Sequence, residues 1–394
     1  MSRQVAVRLC TVVAVIFAST ILASAQINSS STKTNSTVAA ASTPAAFVYV
    51  SSTVANTNSQ NHVNGYAAAA DGSLTPIPGS PFPASLNYLA VTGRWLFGVL
   101  QSGSPTDNGQ VIDSYSIAPN GALTFKDKAN AVESGGGIIS IYLDHTGSSL
   151  YADYYTTNND YLNYSVNHST GALSYVSTLP EGPADFTPVN FIGNNVYAYS
   201  SSCYHFDPLI ISLKRASDGS LSRLNGNSTF PTEKSGGIYC PLQAAADPTN
   251  HVAIAMQPLT PNWDSDGLWQ LATYTADASG HLTTTSTNEN MPSVAVGTVR
   301  DYRMSPSGKF LAVGGSLGLQ LFHFNGANPI TKLTGDLTAS PVDQLFWDNA
   351  NHVYAISRTG GKLYVFTVTS TGAKQAPGSP HKITGPQNII VLPK

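Results

Sequence analysis

Charged side chains are scarce in this chain of 394 residues: they make up 10% of it, with 19 basic against 22 acidic residues and a net charge of −3. A chain this close to neutral has no basic field with which to hold a phosphate backbone, so we expect no nucleic-acid partner. Polarity comes instead from serine, threonine, asparagine, glycine and tyrosine, a composition common in exported β proteins. The composition therefore favours an exported β protein.

Long apolar runs are confined to the beginning of the chain. Arg3 and Arg8 precede an apolar stretch over residues 9–23, and Ala23-Ser24-Ala25 stands at its end. Small residues at such a position are typical of a cleavable export signal, and the stretch is shorter than the ~20 residues that span a bilayer. We predict a signal peptide over 1–25, with a membrane anchor as the alternative, and a periplasmic or extracellular mature chain without a membrane span.

A polar segment follows the predicted signal. Residues 26–45 are nearly all serine, threonine, asparagine and alanine. Such a segment offers too little apolar surface to offset the entropy of ordering it. We predict a disordered linker here and a single folded domain over 46–394.

The folded part is organised by a recurring glycine turn. Five copies are 48 to 50 residues apart, except for one longer interval before the last: Asp71-Gly72-Ser73-Leu74, Asn120-Gly121-Ala122-Leu123, Thr170-Gly171-Ala172-Leu173, Asp218-Gly219-Ser220-Leu221 and Ser279-Gly280-His281-Leu282. Glycine supplies the positive φ of a hairpin, and this period is that of one four-stranded propeller blade. Degenerate copies are expected at Asn328-Pro329-Ile330 and Thr371-Gly372-Ala373-Lys374.

Short apolar strands recur with the same period. Seven segments qualify as innermost strands: 87–91, 138–144, 188–192, 242–247, 299–304, 344–348 and 387–392. The segment 47–50 has the pattern of a second strand with no first strand before it, whereas 387–392 is a first strand with nothing after it. Pairing the two would close a ring and hide both free edges. The sequence therefore predicts an all-β, seven-bladed propeller with four antiparallel strands per blade.

The turns are accompanied by a more specific phrase. Residues 71–83 read DGSLTPIPGSPFP, and Pro377-Gly378-Ser379-Pro380 repeats part of it. With these strings the chain resembles the seven-bladed lactonase-like propellers, the family of 6-phosphogluconolactonase and the fungal carboxymuconate-lactonising enzyme, over essentially all of residues 47–393. The resemblance implies a propeller fold and, in the enzymes, opening of a lactone ring.

The catalytic pattern of that family is incomplete here. In the enzymes one innermost strand carries Arg-His near its start, with a Glu sixteen residues after the Arg. The matching stretch has Arg300, but Asp301 replaces the His and Ser316 the Glu. Arg300 is the candidate catalytic residue, as a donor to a developing carbonyl anion. The alternative is an arginine that lines the channel, paired with Asp301 or another carboxylate.

The loops from second to third strand and from fourth to next first strand emerge on one face of a propeller. This face gathers polar and aromatic side chains that could bind a ligand. The candidates are Asp160, Tyr204, His205, Asp207, Trp263, Asp264 and Asp266. Solvated turns have the same composition, so this alternative stays open.

Two cysteines remain after the predicted cleavage. Cys203 and Cys240 are expected in loops of this face on adjacent blades, and an exported compartment permits them to pair. In the chain-entropy description such a bridge stabilises the fold by about 4 kcal/mol. Two free buried thiols are the alternative.

Metal and cofactor signals are weak. Asp264-Ser265-Asp266-Gly267 invites a calcium site, but Thr275 stands where an EF-hand places its glutamate. The histidines form no zinc spacing, and no Gly-x-Ser-x-Gly nucleophile elbow appears between a strand and a helix. We expect no metal and no cofactor. The sequence predicts an exported monomer that binds a small molecule, a glycan or an envelope protein; the alternative is a hydrolase of sugar-type lactones.

Overall fold

A computed structural model describes residues 43–53, 61–101, 109–156, 159–182, 188–204, 207–224 and 229–394. Within these ranges the regular structure is entirely β, and the strands form seven antiparallel sheets of four main strands each. The predicted seven-bladed propeller is confirmed. The predicted signal peptide and nearly all of the predicted linker lie outside the described residues.

Blade 7 is assembled from both ends of the domain. The chain enters it through β1 (Ala46–Ser52), β2 (His62–Ala68) and β3 (Leu74–Pro76), and completes it with the last strand, β30 (Pro386–Pro393). β1 pairs with β30 from Ala46 opposite Pro393 to Ser52 opposite Pro386. The predicted closure of the ring is therefore present.

The other six blades follow in chain order. Blade 1 contains β4 (Leu86–Thr92), β5 (Trp95–Leu100), β6 (Val111–Ile117) and β7 (Leu123–Asn130). Blade 2 contains β8 (Gly137–Leu143), β9 (Ser149–Tyr155), β10 (Asn159–Val166) and β11 (Leu173–Gly182). Blade 3 contains β12 (Asn190–Phe191), β13 (Tyr197–Tyr204), β14 (Asp207–Arg215) and β15 (Leu221–Arg223).

The second half repeats the plan with two additional short strands. Blade 4 contains β16 (Ile238–Ala246), β17 (His251–Leu259), β18 (Trp269–Ala276), β19 (Leu282–Thr283) and β20 (Ser293–Val294). Blade 5 contains β21 (Val299–Met304), β22 (Phe310–Gly315), β23 (Gly318–Asn325) and β24 (Asn328–Lys332). Blade 6 contains β25 (Gln344–Trp347), β26 (His352–Ser357), β27 (Lys362–Thr369), β28 (Gly372–Gln375) and β29 (His381–Lys382).

The seven predicted innermost strands correspond to β4, β8, β12, β16, β21, β25 and β30. The sixth glycine turn was placed wrongly by the sequence pattern. Asn325 pairs with Asn328, so Gly326 and Ala327 form the turn, and Asn328-Pro329-Ile330 lies inside β24. Gly326 has φ of 63°, which is the backbone conformation that the repeat requires.

Neighbouring blades are joined by a repeated contact between an aromatic side chain and a glycine turn. The hydroxyl of Tyr151 on the second strand of blade 2 donates to the carbonyl of Gly219 in blade 3 at 2.8 Å. Tyr199 of blade 3 donates in the same way to Gly280 of blade 4 at 2.9 Å. The recurring turn is therefore also a place where neighbouring blades dock on one another.

Gly171 shows why the turn needs glycine. Its φ is +79°, and a Cβ built on it would lie 2.4 Å from the ring of Trp95 in the preceding blade. Trp95 is buried, and its Nε1–H donates a hydrogen bond to the carbonyl of His168 at 2.9 Å. A side chain at 171 would thus be strained by the backbone and would also collide with the docked ring.

One aspartate of the first turn in blade 6 is held by a buried network. Asp348 accepts hydrogen bonds from Nδ1 of His352 at 2.7 Å and from the hydroxyl of Tyr354 at 2.9 Å, and it is fully buried. Burial by itself raises the pKa of Asp348, but the hydrogen bonds from His352 and Tyr354 outweigh it and hold the pKa below the usual value. The ionised carboxylate therefore stabilises this blade.

We expect Gly171→Ala to destabilise the fold by about 2–4 kcal/mol, the sum of a positive φ and an overpacked contact. Gly135→Ala is the matched control, because Gly135 has φ of +85° but open space around its Cα. Gly135→Ala should lower the free energy of unfolding only by the cost of a positive φ, about 1–2 kcal/mol. Urea unfolding measures both, and equal losses would show that docking on Trp95 contributes nothing.

We expect Asp348→Asn to lower the free energy of unfolding by about 2 kcal/mol at neutral pH, since it removes charge-assisted hydrogen bonds. A depressed folded pKa stabilises above the unfolded pKa of about 3.9, and this stabilisation is lost as the pH falls through the folded value. The difference from the unaltered chain should therefore shrink below about pH 4. Denaturant unfolding from pH 3 to 7 tests this, with exposed Asp127→Asn as the control; a pH-independent difference would contradict it.

Candidate functional site

The propeller has two different ends. The loop face carries the connections from second to third strand and from fourth strand to the next blade. The turn face carries the tight first-to-second and third-to-fourth turns, such as 144–147 and 218–221. The candidate residues of the sequence analysis that the structure describes belong to the loop-face half of the blades.

The innermost strands enclose a cavity of about 320 Å³ along the axis. Every blade contributes to its wall, and the lining includes Tyr88, Ser140, Asn190, Ala246, Arg303, Gln344 and Asn388. A second cavity of about 480 Å³ opens toward the turn face and shares Arg303 and Asn190 with the first. Arg303 therefore lines both chambers of the axial channel.

Arg303 is held by its own strand. Its Nε lies 3.2 Å from Oδ1 of Asp301, and its guanidinium lies 5.3 Å from the centre of the Phe346 ring. Asp301 is buried and accepts the backbone N–H of Leu345 at 2.9 Å. Burial raises the pKa of Asp301, with the charge of Arg303 opposing the change. The residue that replaces the family's histidine is thus a structural partner of Arg303.

The inner strands share an irregularity near the loop face. In β21 the register shifts between Val299 and Asp301, which leaves Arg300 as an extra residue in a bulge. Four other inner strands have the same shift, at Tyr88, Ile139, Leu242 and Gln387. Bulges re-aim side chains and are frequent beside functional sites. Arg300 therefore belongs to a set of five bulged residues at the loop-face mouth of the channel.

Arg300 is paired across the blade boundary. Its Nη1 forms an ion pair with Oδ1 of Asp343, which precedes the inner strand of blade 6. The other oxygen of Asp343 accepts the backbone N–H of Arg358 at 2.7 Å, and Nε of Arg358 donates to the carbonyl of Gln387 at 3.0 Å. The Asp343 side chain is 8% exposed and that of Arg300 37%. One sheltered carboxylate thus lies beside two arginines whose side chains reach solvent.

This arrangement decides which carboxylate Arg300 uses. Arg300 pairs with Asp343, whereas the adjacent Asp301 pairs with Arg303. Of the two partners considered from the sequence, Asp301 or another carboxylate, the structure therefore shows another carboxylate. Both nearby carboxylates are held by arginine side chains. Ser316, at the position of the family's glutamate, accepts the backbone N–H of Thr298 at 3.0 Å. The geometry offers donors for an anionic or carbonyl oxygen, but the nearby carboxylates are poorly placed to act as a general base.

Sequence reasoning missed Arg358 and Asp343. Neither lies in a recognisable phrase, and they approach Arg300 and Gln387 only because blades 5, 6 and 7 are neighbours in the ring. A usable signal existed for Arg358, which follows directly after the second strand of blade 6 and so faces the loop side. Its pairing could not be read from the sequence.

The other predicted binding residues lie on blades 2 to 4. Asp160 is near the start of β10, and Tyr204 and Asp207 are paired at the end of β13 and the start of β14. Trp263, Asp264 and Asp266 lie in the insertion between β17 and β18. His205 lies outside the described residues. The structure therefore separates these residues by blade from Arg300.

Cys203 and Cys240 are joined. Their sulfur atoms are 2.14 Å apart and their Cα atoms 5.4 Å apart. Cys203 is in β13 and Cys240 in β16, so both lie in strands rather than in the loops expected from the sequence. The bridge connects blades 3 and 4 near the loop face.

The described part of the chain lacks both a cluster of metal-binding side chains and a membrane-spanning helix. It holds no group of three or more His, Cys, Asp or Glu side chains that could bind a metal ion. Nor does it include a helix with the length and apolarity needed to cross a membrane.

Solved structures share this architecture. A periplasmic gluconolactonase from Pseudomonas aeruginosa is 15% identical and superposes with a TM-score of 0.63, covering 88% of this chain and 99% of its own. A Bacteroides fragilis protein provisionally assigned as a 6-phosphogluconolactonase is 13% identical, with a TM-score of 0.64 and coverage of 90% and 99%. A Lactobacillus plantarum protein is 13% identical, with a TM-score of 0.61 and coverage of 88% and 99%.

Neither a protein-family model nor a curated protein matches the sequence. At identities this low the structural likeness shows the fold alone. The fold is that of 6-phosphogluconolactonase-like, seven-bladed propellers, as the sequence resemblance predicted.

Proposed function

We propose that this chain is an exported propeller that binds a small oxygen-rich ligand at the loop-face mouth of its channel and does not open lactones. The observation that carries the proposal is the group formed by Arg300, Asp343 and Arg358. It presents two exposed arginines and keeps the carboxylate between them engaged.

Arginine suits this role. A guanidinium has five N–H donors in a planar fork that matches a carboxylate or a carbonyl oxygen. The described side-chain contacts of Arg300 and Arg358 use one donor group on each, toward Asp343 and the carbonyl of Gln387. The remaining donors can hold an anionic group of a ligand, while the bulged Tyr88 supplies a hydroxyl for another of its oxygens.

Two observations support export. The N-terminal segment has the charge and apolar pattern of a cleavable signal. The bridge between Cys203 and Cys240 is of a kind that persists in oxidising compartments and is rare in the cytosol. Both observations support the proposal that the protein works in the periplasm or outside the cell.

The second candidate function is hydrolysis of a sugar-type lactone. It is favoured by the fold shared with a periplasmic gluconolactonase and by Arg300, which could stabilise the developing charge on a carbonyl oxygen. It needs a base for water, and the carboxylates next to Arg300 are engaged in ion pairs. Binding without turnover is the better-supported function.

Two measurements, of gluconate binding and of gluconolactone hydrolysis, distinguish the two candidate functions. We expect calorimetry to detect gluconate binding, weakened about tenfold by Arg300→Gln and by Arg358→Gln, because each removes a charge-assisted hydrogen bond. Arg94→Gln is the matched control, since Arg94 is an exposed arginine of a first-to-second-strand turn that contacts the carbonyl of Ser169. It should bind like the unaltered chain.

A pH-stat assay on glucono-1,5-lactone completes the test. We expect ring opening no faster than in buffer. Turnover that disappears in Arg300→Gln would instead establish the hydrolase. Gluconate binding that Arg300→Gln and Arg358→Gln leave intact would remove the channel mouth as the site.

A further inference from the structure

Large apolar side chains are exposed on the loop face of three consecutive blades. Tyr155 of blade 2 is 49% exposed, Leu209 of blade 3 is 38% exposed, and Trp263 and Leu268 of blade 4 are 42% and 53% exposed. Single exposed apolar residues are ordinary, but several on neighbouring loops of one face mark an interaction surface. These four residues define the apolar part of what we call the acidic crescent.

Carboxylates are interleaved with them. Asp207 is two residues before Leu209, and Asp264 and Asp266 lie between Trp263 and Leu268; all three are exposed. No ion pair involving them occurs in the part of the chain that the structure describes. These three aspartates complete the acidic crescent.

The electrostatic surroundings are negative as well. Glu133 and Asp160 lie together at the blade 2 side, where burial and the charge of Asp160 raise the pKa of Glu133. Lys234 is the cation of the described loop between blades 3 and 4, and Glu289 is close to it: hydrogen bonds from its own backbone N–H and from Thr287 lower the pKa of Glu289, and the charge of Lys234 adds to the change. Negative charge therefore predominates around the acidic crescent on blades 2 to 4, whereas Arg300 and Arg358 lie at the channel mouth on blades 5 and 6.

The crescent is held in shape. The inserted loop forms a small hairpin, in which the N–H of Thr260 donates to the carbonyl of Asp264 at 2.8 Å and the N–H of Asp266 to that of Pro258 at 2.9 Å. The disulfide between Cys203 and Cys240 ties blade 3 to blade 4 beside it. A surface ordered before binding loses little entropy when a partner docks.

The shape favours an extended partner over a small molecule. Four cavities in the described part of the chain, from about 230 to 790 Å³, are lined by residues outside the crescent. Protein interfaces use apolar anchors with a polar rim, and the crescent has both.

We propose that the acidic crescent docks a basic protein segment with apolar side chains between its lysines or arginines. The carboxylates attract and orient such a segment, and Trp263, Leu209 and Leu268 bury its apolar side chains. A glycan would use the face of Trp263 or Tyr155, but it would gain little from the aliphatic leucines or from uncompensated negative charge. The crescent shares no residue with the channel mouth, so the inference goes beyond the ligand site proposed there.

The test uses a fluorescein-labelled decapeptide of alternating lysine and leucine, followed by anisotropy at low and moderate salt. We expect saturable binding that Asp264→Asn/Asp266→Asn weakens about tenfold at low salt and less at higher salt, because the lost attraction is screened. Leu268→Ser should weaken binding about tenfold at both salt concentrations, since it removes an apolar anchor. Asp71→Asn/Asp218→Asn is the matched control: both aspartates are exposed in third-to-fourth-strand turns on the opposite, turn face, so this variant should bind the peptide normally.

Three results would overturn the proposal. A lysine–serine decapeptide that binds equally well would reduce the effect to charge alone. Binding unaffected by the crescent variants, with their unfolding midpoints unchanged, would place the peptide elsewhere. Saturable binding of cellohexaose that Trp263→Ala abolishes, with no peptide binding, would make the surface a glycan site. Arg300→Gln leaves the crescent intact, so peptide binding by that variant tests the crescent independently of the channel mouth.

Discussion

The pairing of β30 with β1 is the constraint on which the rest of the molecule depends. Seven residues of β1 are matched with the last strand, and every residue of β1 is buried. β30 also contacts both neighbouring blades, because Asn388 hydrogen-bonds Asn87 of blade 1 and the N–H of Ile389 donates to Gln344 of blade 6 at 2.7 Å. One terminal strand therefore joins three blades and removes two edges that would otherwise be open.

The candidate ligand site is a consequence of that closure. Arg300 comes from blade 5, Asp343 and Arg358 from blade 6, and the carbonyl that receives Arg358 from Gln387 in β30. No single blade contains enough of the site to hold a ligand. Each of five inner strands has one bulged residue near its loop-face end. Because the ring is closed, these five residues together surround one channel mouth. The acidic crescent depends more on local structure, namely a pinned insertion and a disulfide between two adjacent blades.

The sequence predicted the fold well because the fold rests on local signals. A glycine with positive φ and an alternating strand recur in every blade, and each can be recognised without knowing its neighbours. The sixth turn shows the limit of the method. Asn328-Pro329-Ile330 looked like a turn, but the register of β23 and β24 places the turn at Gly326, two residues earlier.

The sites were harder to predict from the sequence, because they depend on contacts between blades. Arg300 could be found from its resemblance to a family motif, yet its partner could be Asp301 or another carboxylate until blade 6 was placed beside blade 5. Arg358 lies in no motif and could be found only through the ring. The candidates on the loop face were placed on the correct side by blade topology alone, whereas their separation into a channel mouth and a crescent required the structure.

Hydrogen exchange of the intact protein, followed by mass spectrometry, tests the central claim most directly. If β30 closes the ring, amides of residues 386–393 should be protected to within about tenfold of those in β4 and β25, and should open together with β1. Fast exchange of β30 while the other inner strands stay protected would show that the ring, and with it the channel mouth, is held in some other way.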